Sequence, residues 1–277
     1  MPKHWWKDQD FNKVNFEFPV VSGPYRLGQV SEPHFARMEK RDDYWRADDP
    51  TTEGLLNFDT VEYRFYPQQD VAFESFKKGE FDSFAVYTSS QWVKETTGER
   101  FDKNWIVKQS VHNYDPVSFQ GFAMNLRREP YSDKRVRKAL AHLLDRKRMN
   151  QTIMFDQYAL TSSYWPDLWD EAHPNPNAET EFDIGKARAL LAEAGWKANP
   201  ATGKLEKDGK PFVMNFLTRD PTTTKFLLIY EEALKDVGIE LKIDQKDWAA
   251  WANDMDEYNF DITWAAWGAS PIKDPEG

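Results

Sequence analysis

The stretch 130–150, PYSDKRVRKALAHLLDRKRMN, holds seven basic residues (Lys134, Arg135, Arg137, Lys138, Arg146, Lys147 and Arg148) against Asp133 and Asp145, a local charge of +5 in a chain of formal charge −10. Two readings compete: a basic helix that grips phosphate, and a scaffold helix whose charged face is solvated. The apolar residues decide between them. Val136, Ala139, Leu140, Leu143 and Leu144 fall at i, i+3, i+4, i+7 and i+8, a complete stripe at helical period. Ser132 or Asp133 can cap the start, and Pro130 stands just before it. The basic residues occupy the face away from the stripe, without the glycine or aromatic pattern of a nucleic-acid module. The stretch reads as scaffold.

On either side of this helix the hydrophobic period switches between two and 3.6, which is the signature of an α/β protein. Toward the N-terminus, residues 1–58 read as irregular with short strands, and SGPY (22–25) is a turn followed by a strand. In NFDTVEYRFYP, Val61, Tyr63 and Phe65 alternate with Glu62, Arg64 and Tyr66. A helix follows with Gly79 as its stop, and FDSFAVY (81–87) returns to strand, so a parallel strand–helix–strand unit with a right-handed crossover is expected. Toward the C-terminus, Asp183 caps a helix with the stripe Ile184, Ala187, Leu190, Leu191 and Ala194, ending at Gly195. A hairpin turns at KDGK and runs into strand 212–218; a helix ending at Gly238 and the strand IELKI complete a second such unit. The polar, turn-rich stretch 110–121 separates the two.

Composition excludes several classes of function. A chain of 277 residues with 40% hydrophobic and 30% charged residues, 12 Trp, 11 Tyr and 19 Phe is globular and long enough for two domains. The net negative charge argues against nucleic acid as a partner. With no cysteine there is no disulfide, thiolate metal site or cysteine nucleophile. The N-terminal stretch lacks the apolar core of a signal peptide, and the run 262–269 is far too short to span a bilayer. TGKL (202–205) superficially resembles a phosphate loop, but Leu205 stands at the Ser/Thr position and Ala198 where the first glycine belongs. His4, His34, His112, His142 and His173 show no metal-ligand spacing, no nucleophile elbow is present, and the carboxylates of DMDEYNFD (254–261) read as surface turns. No cofactor is implied.

The positive signal is aromatic. Trp248, Trp251, Trp264 and Trp267 lie within two elements, and the last two end a strand followed by Gly268, Ala269, Ser270 and Pro271. Ligand contacts gather at strand C-termini in α/β domains, and a tryptophan offers a broad face and one N–H donor to peptides, sugars or cations.

Several stretches together (SGPYRL, RDDYW, FDTVEYRFYPQQDVAFESFKKGEFD, AMNLRREPYSDKRVRKALAHLLDR, DIGKARALLAEAGW, KLEKDGKPFVMNFLT and LKDVGIELKI) occur in the order found in family 5 extracellular solute-binding proteins, and the chain resembles that family over nearly its whole length. The helix YSDKRVRKAL and the turn GEFD are its most specific marks. The family comprises the oligopeptide-, dipeptide- and nickel-binding receptors of bacterial ABC importers, and the aromatic-rich N-terminal stretch suggests the branch that takes up murein peptides and peptide antibiotics.

The resemblance implies an α/β, two-lobed periplasmic binding protein of the peptide-binding type, with mixed sheets flanked by helices, here incomplete at both ends. It implies a non-catalytic receptor that closes on its ligand, residues 1–117 belonging to the first lobe and 118–277 to the second, with a hinge near 110–125. The basic helix is then scaffold of the second lobe. Asn125 lies on the strand leaving the first lobe near the cleft, Tyr164 and Trp165 on a loop facing the cleft, and Trp264, Trp267, Ser270 and Asp274 at its wall. Dipeptide and oligopeptide receptors commonly carry an Asp just after the Trp-bearing strand, which pairs with the ligand ammonium. Here Gly268, Ala269 and Ser270 occupy that stretch and the nearest acid is Asp274. The implied partners are a small peptide or peptide-like ligand and the membrane permease of the importer. As a piece of a longer receptor, the chain is expected to self-associate. The alternatives are a carbohydrate-active hydrolase using Trp platforms and a carboxylate pair, and a nickel or metal-chelate receptor of the same fold.

Overall fold

Alternating side chains and short turns shape the N-terminal portion. The computed structural model describes residues 3–7, 10, 18, 20–176 and 180–270, and divides into two compact units, Met1–Ala85 and Val86–Gly277. In the first unit, helix α1 (Lys3–Trp6) precedes an antiparallel sheet of β1 (Tyr25–Ser31), β2 (Phe35–Lys40) and β3 (Thr60–Arg64), in that spatial order. Arg37 on β2 stands directly opposite Glu62 on β3 and donates to its carboxylate at 2.7 Å, a cross-strand pair that fixes the register. Helix α2 (Gln69–Lys78) stops at Gly79, whose φ of 86° and N–H bonds to the Ser75 and Phe76 carbonyls make the left-handed cap expected of it.

The strand expected at 81–87 does not form. The rings of Phe81 and Phe84 instead pack on α2: Phe84 lies 5.3 Å from Phe73, and Phe81 lies 5.7 Å from Phe76. The alternation of aromatic and polar residues in this segment serves contact with a helix rather than a pleat. The segment therefore completes no parallel strand–helix–strand unit with β3, whose partner is the antiparallel β2.

The second unit contains α3 (Ser89–Lys94), α4 (Glu99–Asp102), β4 (Phe119–Met124), α5 (Lys134–His142), α6 (Arg146–Ile153), α7 (Ile184–Glu193), β5 (Lys197–Ala198), β6 (Leu205–Lys207), β7 (Lys210–Pro211), β8 (Val213–Thr218), α8 (Thr224–Asp236), β9 (Glu240–Gln245), α9 (Trp248–Asp256) and β10 (Ile262–Trp267). Its main sheet has the order β4-β10-β8-β9, with β8 parallel to both neighbours and β4 antiparallel to β10. The unit β8–α8–β9 is the parallel crossover that the sequence indicated, and β5-β6-β7 is the small hairpin sheet around KDGK. Gly238 makes the turn from α8 into β9 possible: its φ is +83°, and a Cβ there would stand 2.5 Å from the Gly203 carbonyl oxygen.

The stretch 130–150 is two helices rather than one. Asp133 caps α5 by accepting from the Arg135 N–H, and Asp145 caps α6 by accepting from the Arg148 N–H. Val136, Ala139, Leu140 and Leu143 are wholly buried against Leu191, Phe216, Leu227, Tyr230 and Leu234. The basic side chains brace the surface: Arg135 donates to the Glu193 carbonyl, Arg137 to the Tyr131 and Ser132 carbonyls, and Arg148 pairs with Glu232. Within residues 86–108, Lys108 donates to the Trp92 carbonyl, and the Lys94 ammonium lies 4.6 Å from the Phe155 ring centre. Among the described residues no helix is long and apolar enough to cross a membrane.

Candidate functional site

Parallel β8 and β10 end at the same edge of the main sheet, and antiparallel β4 begins there. Phe119, the first residue of β4, pairs in register with Trp267, the last of β10. Their rings stack, with centres 5.0 Å apart and planes 14° from parallel, and the Tyr164 ring lies 4.9 Å from Phe119, tilted by 32°. Tyr164 is 68% and Trp267 45% exposed, so this three-ring stack presents aromatic surface to solvent. The Ala269 N–H donates to Ser118 Oγ at 3.2 Å and ties the chain after β10 to the chain before β4.

The structure does not bring Trp264 and Trp267 together. They stand three residues apart on a regular strand, and a period of two sends them to opposite faces of the sheet. Trp264 faces α8, packed edge-on against Phe122 and Phe226, and its Nε1–H donates to Gln120 at 3.3 Å. Trp165 is half-buried in the loop after α6, where Ser163 Oγ receives both the Trp165 backbone N–H and the Trp169 indole N–H. Ser270 is exposed at the end of the described chain, and Asp274 lies outside the described residues. Asn125 is buried and fully engaged: its amide donates to the Tyr258 and Phe260 carbonyls, and its oxygen accepts from the Arg127 N–H. That side chain locks the end of β4 onto the turn before β10.

The carboxylates of 254–261, expected on surface turns, are partly interior. Asp261 is 7% exposed and accepts from Arg128, from the Asn215 N–H and from the Asn215 side chain. Asp254 is 6% exposed, pairs with Lys246 and accepts from Asn259 at 3.2 Å. Lys246 and then Asn259 hold the Asp254 carboxyl below its ordinary range, and Asp254 in turn holds the Lys246 ammonium above its own. Surrounded by these donors, the two carboxylates fasten loops. Among the described residues no three His, Asp or Glu side chains converge on one point.

Sequence reading missed an arginine. Directly after β8, Arg219 places its guanidinium carbon 4.5 Å from the Trp248 ring centre and 5.2 Å from that of Trp251. It lines an open cavity of about 490 Å³ with Gln120, Thr222, Phe226, Trp251 and Trp264, on the α8 side of the sheet. The strand-end rule that singled out 264–270 applies equally to strand 212–218, and would have reached Arg219. Phe119 carried no such signal, because its position opposite Trp267 depends on a pairing 148 residues apart in the numbering.

The whole chain, residues 1–277, matches the model of the family described as bacterial extracellular solute-binding proteins, family 5 middle. Among curated relatives, it is 27% identical to a probable peptide-binding protein, YejA, of Agrobacterium fabrum, covering 98% of this chain and 50% of the relative. It is 28% identical to the oligopeptide-binding protein AppA of Bacillus subtilis, covering 96% of this chain and 47% of that one. The structure of that AppA, in complex with a nonapeptide, superposes with a TM-score of 0.75 at 25% identity, over 99% of this chain and 53% of AppA. NikA of Brucella suis, in complex with Fe(III)-EDTA, shares the fold with a TM-score of 0.71 at 22% identity, over 90% of this chain and 48% of NikA. The chain thus spans about half the length of the curated relatives it matches. By its sequence, matched over its whole length, the chain belongs to the family 5 bacterial extracellular solute-binding proteins.

Proposed function

We propose that this chain is part of the substrate-binding component of an ABC importer, which captures peptides or peptide-like solutes outside the cytoplasmic membrane and delivers them to a membrane permease. The observation that carries the reading is the exposed stack of Tyr164, Phe119 and Trp267 at the strand ends of a family member whose relatives bear the names of peptide-binding proteins. Phe119 and Trp267, stacked by the pairing of β4 with β10, form a rigid apolar surface that loses little side-chain entropy on contact. An extended peptide laid along the strand ends would seat its side chains against them. In the whole receptor, residues 1–117 contribute to one lobe and 118–277 to the other, with the hinge near 110–125, and the ligand is held between them by closure. Trp267, Tyr164 and Ser270 are the proposed contacts, with Trp264 and Trp165 shaping the flanking surface and Asp274 near the wall. Asn125 supports the site through the backbone. The receptor acts by binding rather than by turnover, in the periplasm.

Calorimetric titration with short peptides, oligosaccharides and metal chelates tests the reading. Peptides alone should give heat, and Trp267→Ala should weaken their binding by about tenfold or more. Saccharide binding, or hydrolysis of a glycoside abolished by an Asp→Asn change, would replace the peptide reading with a carbohydrate one.

A further inference from the structure

Strand β9 is the outer strand of the main sheet, and among the described residues no strand pairs with its free side. On its inner side the Glu240 N–H donates to the Phe212 carbonyl at 3.1 Å and the Lys246 N–H to the Thr218 carbonyl at 2.9 Å. The even-numbered backbone groups thus bond to β8, and the N–H and C=O groups of Leu241, Ile243 and Gln245 point outward from the sheet. The edge is open, since Lys242, Ile243, Asp244 and Gln245 are all exposed. Its side chains carry a second regularity. Glu240, Lys242, Asp244 and Lys246 share one face of the pleat and alternate acid, base, acid, base. Within the chain, Lys242 lies 3.8 Å from Glu240, Lys204 lies 2.9 Å from Glu240, and Lys246 reaches Asp244 and Asp254. The Lys242 and Asp244 side chains nevertheless stay at least half exposed.

Charge on an edge strand ordinarily blocks pairing, because like charges meet across it. Here the order of signs leaves one pairing open. The outward groups exchange hydrogen bonds only where odd-numbered residues face odd-numbered ones, which places the two-fold axis of an antiparallel pair beside a single residue. An axis at Lys242 sets Lys242 against its own copy and Glu240 against Asp244. An axis at Asp244 sets Asp244 against its own copy and Lys242 against Lys246. An axis at Ile243 sets Lys242 opposite Asp244 and Glu240 opposite Lys246, so every ionic pair attracts. Leu241 then exchanges backbone bonds with Gln245, and Ile243 with its own copy. The ionic pairs fall at the positions without backbone bonds, where side chains approach most closely. We propose that β9 is a self-recognition edge, along which two copies of this chain join antiparallel about Ile243 and continue one main sheet into the other.

The test uses the protein at its natural length in sedimentation equilibrium, where the unaltered protein should pass from monomer to dimer as concentration rises. Lys242→Glu sets acid against acid on both sides of the axis, and Asp244→Lys sets base against base, so each change should weaken the dimer by about tenfold or more. Mixing the two single variants should recover it, because each supplies the sign that the other lacks, and the double variant should recover it alone. Ile243→Cys gives a measure independent of charge: mild oxidation should link two copies through this position far faster than through Lys210→Cys, which lies on the exposed hairpin. Equal linkage of the two, a dimer indifferent to both charge changes, or a mixture that stays monomeric overturns the proposal. So does a monomer at every concentration. In that case slow hydrogen exchange at the Leu241, Ile243 and Gln245 amides would assign the edge to another segment of the same chain.

Discussion

Single side chains in the core show how differently two tyrosines can be used. Tyr131 and Tyr230 are both buried, and burial pushes both phenols above their ordinary range. Tyr230 donates to the Leu140 carbonyl at 3.0 Å, whereas the Tyr131 hydroxyl has no partner among the described residues. Removing an unpaired buried hydroxyl relieves a desolvation cost, while removing a paired one strands its acceptor. Tyr131→Phe is therefore expected to leave stability unchanged or raise it by up to about 1 kcal/mol, and Tyr230→Phe to lower it by about 1 kcal/mol, in denaturant unfolding. Asp133 supplies a pH signature at the same scale. The Arg135 side chain and N–H hold its carboxyl at about 2, below the ordinary 3.8. The native state then binds fewer protons than the unfolded chain, so the contribution is complete above pH 3.8 and is lost as pH falls toward 2. Melting of the native protein should fall over that interval by more than melting of Asp133→Asn.

Helix α5 separates its two faces cleanly. Leu140 is fully buried at the centre of the stripe, and Leu140→Ala is expected to cost about 2–5 kcal/mol through the cavity it leaves. On the other face the basic residues are not equivalent. Lys134 has no hydrogen bond or ion pair among the described residues, so Lys134→Gln should change stability by less than about 0.5 kcal/mol. Arg137 donates to two backbone carbonyls of the turn before the helix, and Arg137→Gln should cost about 1 kcal/mol. Comparable losses for Lys134→Gln and Leu140→Ala would show that the faces are assigned wrongly. The fold at this scale was legible in the amphipathic stripes and caps of α5 and α7, because both are set by contacts within a few residues. The break between α5 and α6 was marked by Asp145 but masked by a stripe that runs on to Leu144.

For the molecule as a whole, the exposed aromatics set its behaviour in solution. On the three-stranded sheet of the first unit, β3 is an edge strand with Tyr63 55% exposed, and Phe65, just beyond it, is 53% exposed. Trp45 in the same unit is 72% exposed. Edge strands and contiguous apolar surface are covered in a stable protein, by its own chain or by another. These 277 residues by themselves are therefore expected to self-associate, giving a concentration-dependent mass in sedimentation experiments. A monodisperse monomer over a wide concentration range would show that this surface is tolerated in water.

By itself the sequence determined the elements whose signals are local: the capped helices, the parallel unit β8–α8–β9, the glycines at helix ends and the family whose ordered motifs the chain carries. It failed at 81–87, where strand-like alternation packs on a helix, since period two fixes which residues share a face but not what that face meets. Tertiary structure alone decided the site. Trp264 and Trp267, adjacent in the reading of a Trp-rich segment, were parted by the pleat. Phe119 came to Trp267 only through the pairing of β4 with β10, and Arg219 met Trp248 and Trp251 only because α9 folds back over the end of β8. Asp254 and Asp261, hydrophilic in any sequence-based reckoning, became interior because Lys246, Arg128, Asn215 and Asn259 surround them with donors. The pairing of β4 with β10, the meeting of Arg219 with α9 and the contacts of Asp261 with Arg128 and Asn215 are set by loop closure over long sequence distances, where no short-range pattern of residues carries the information.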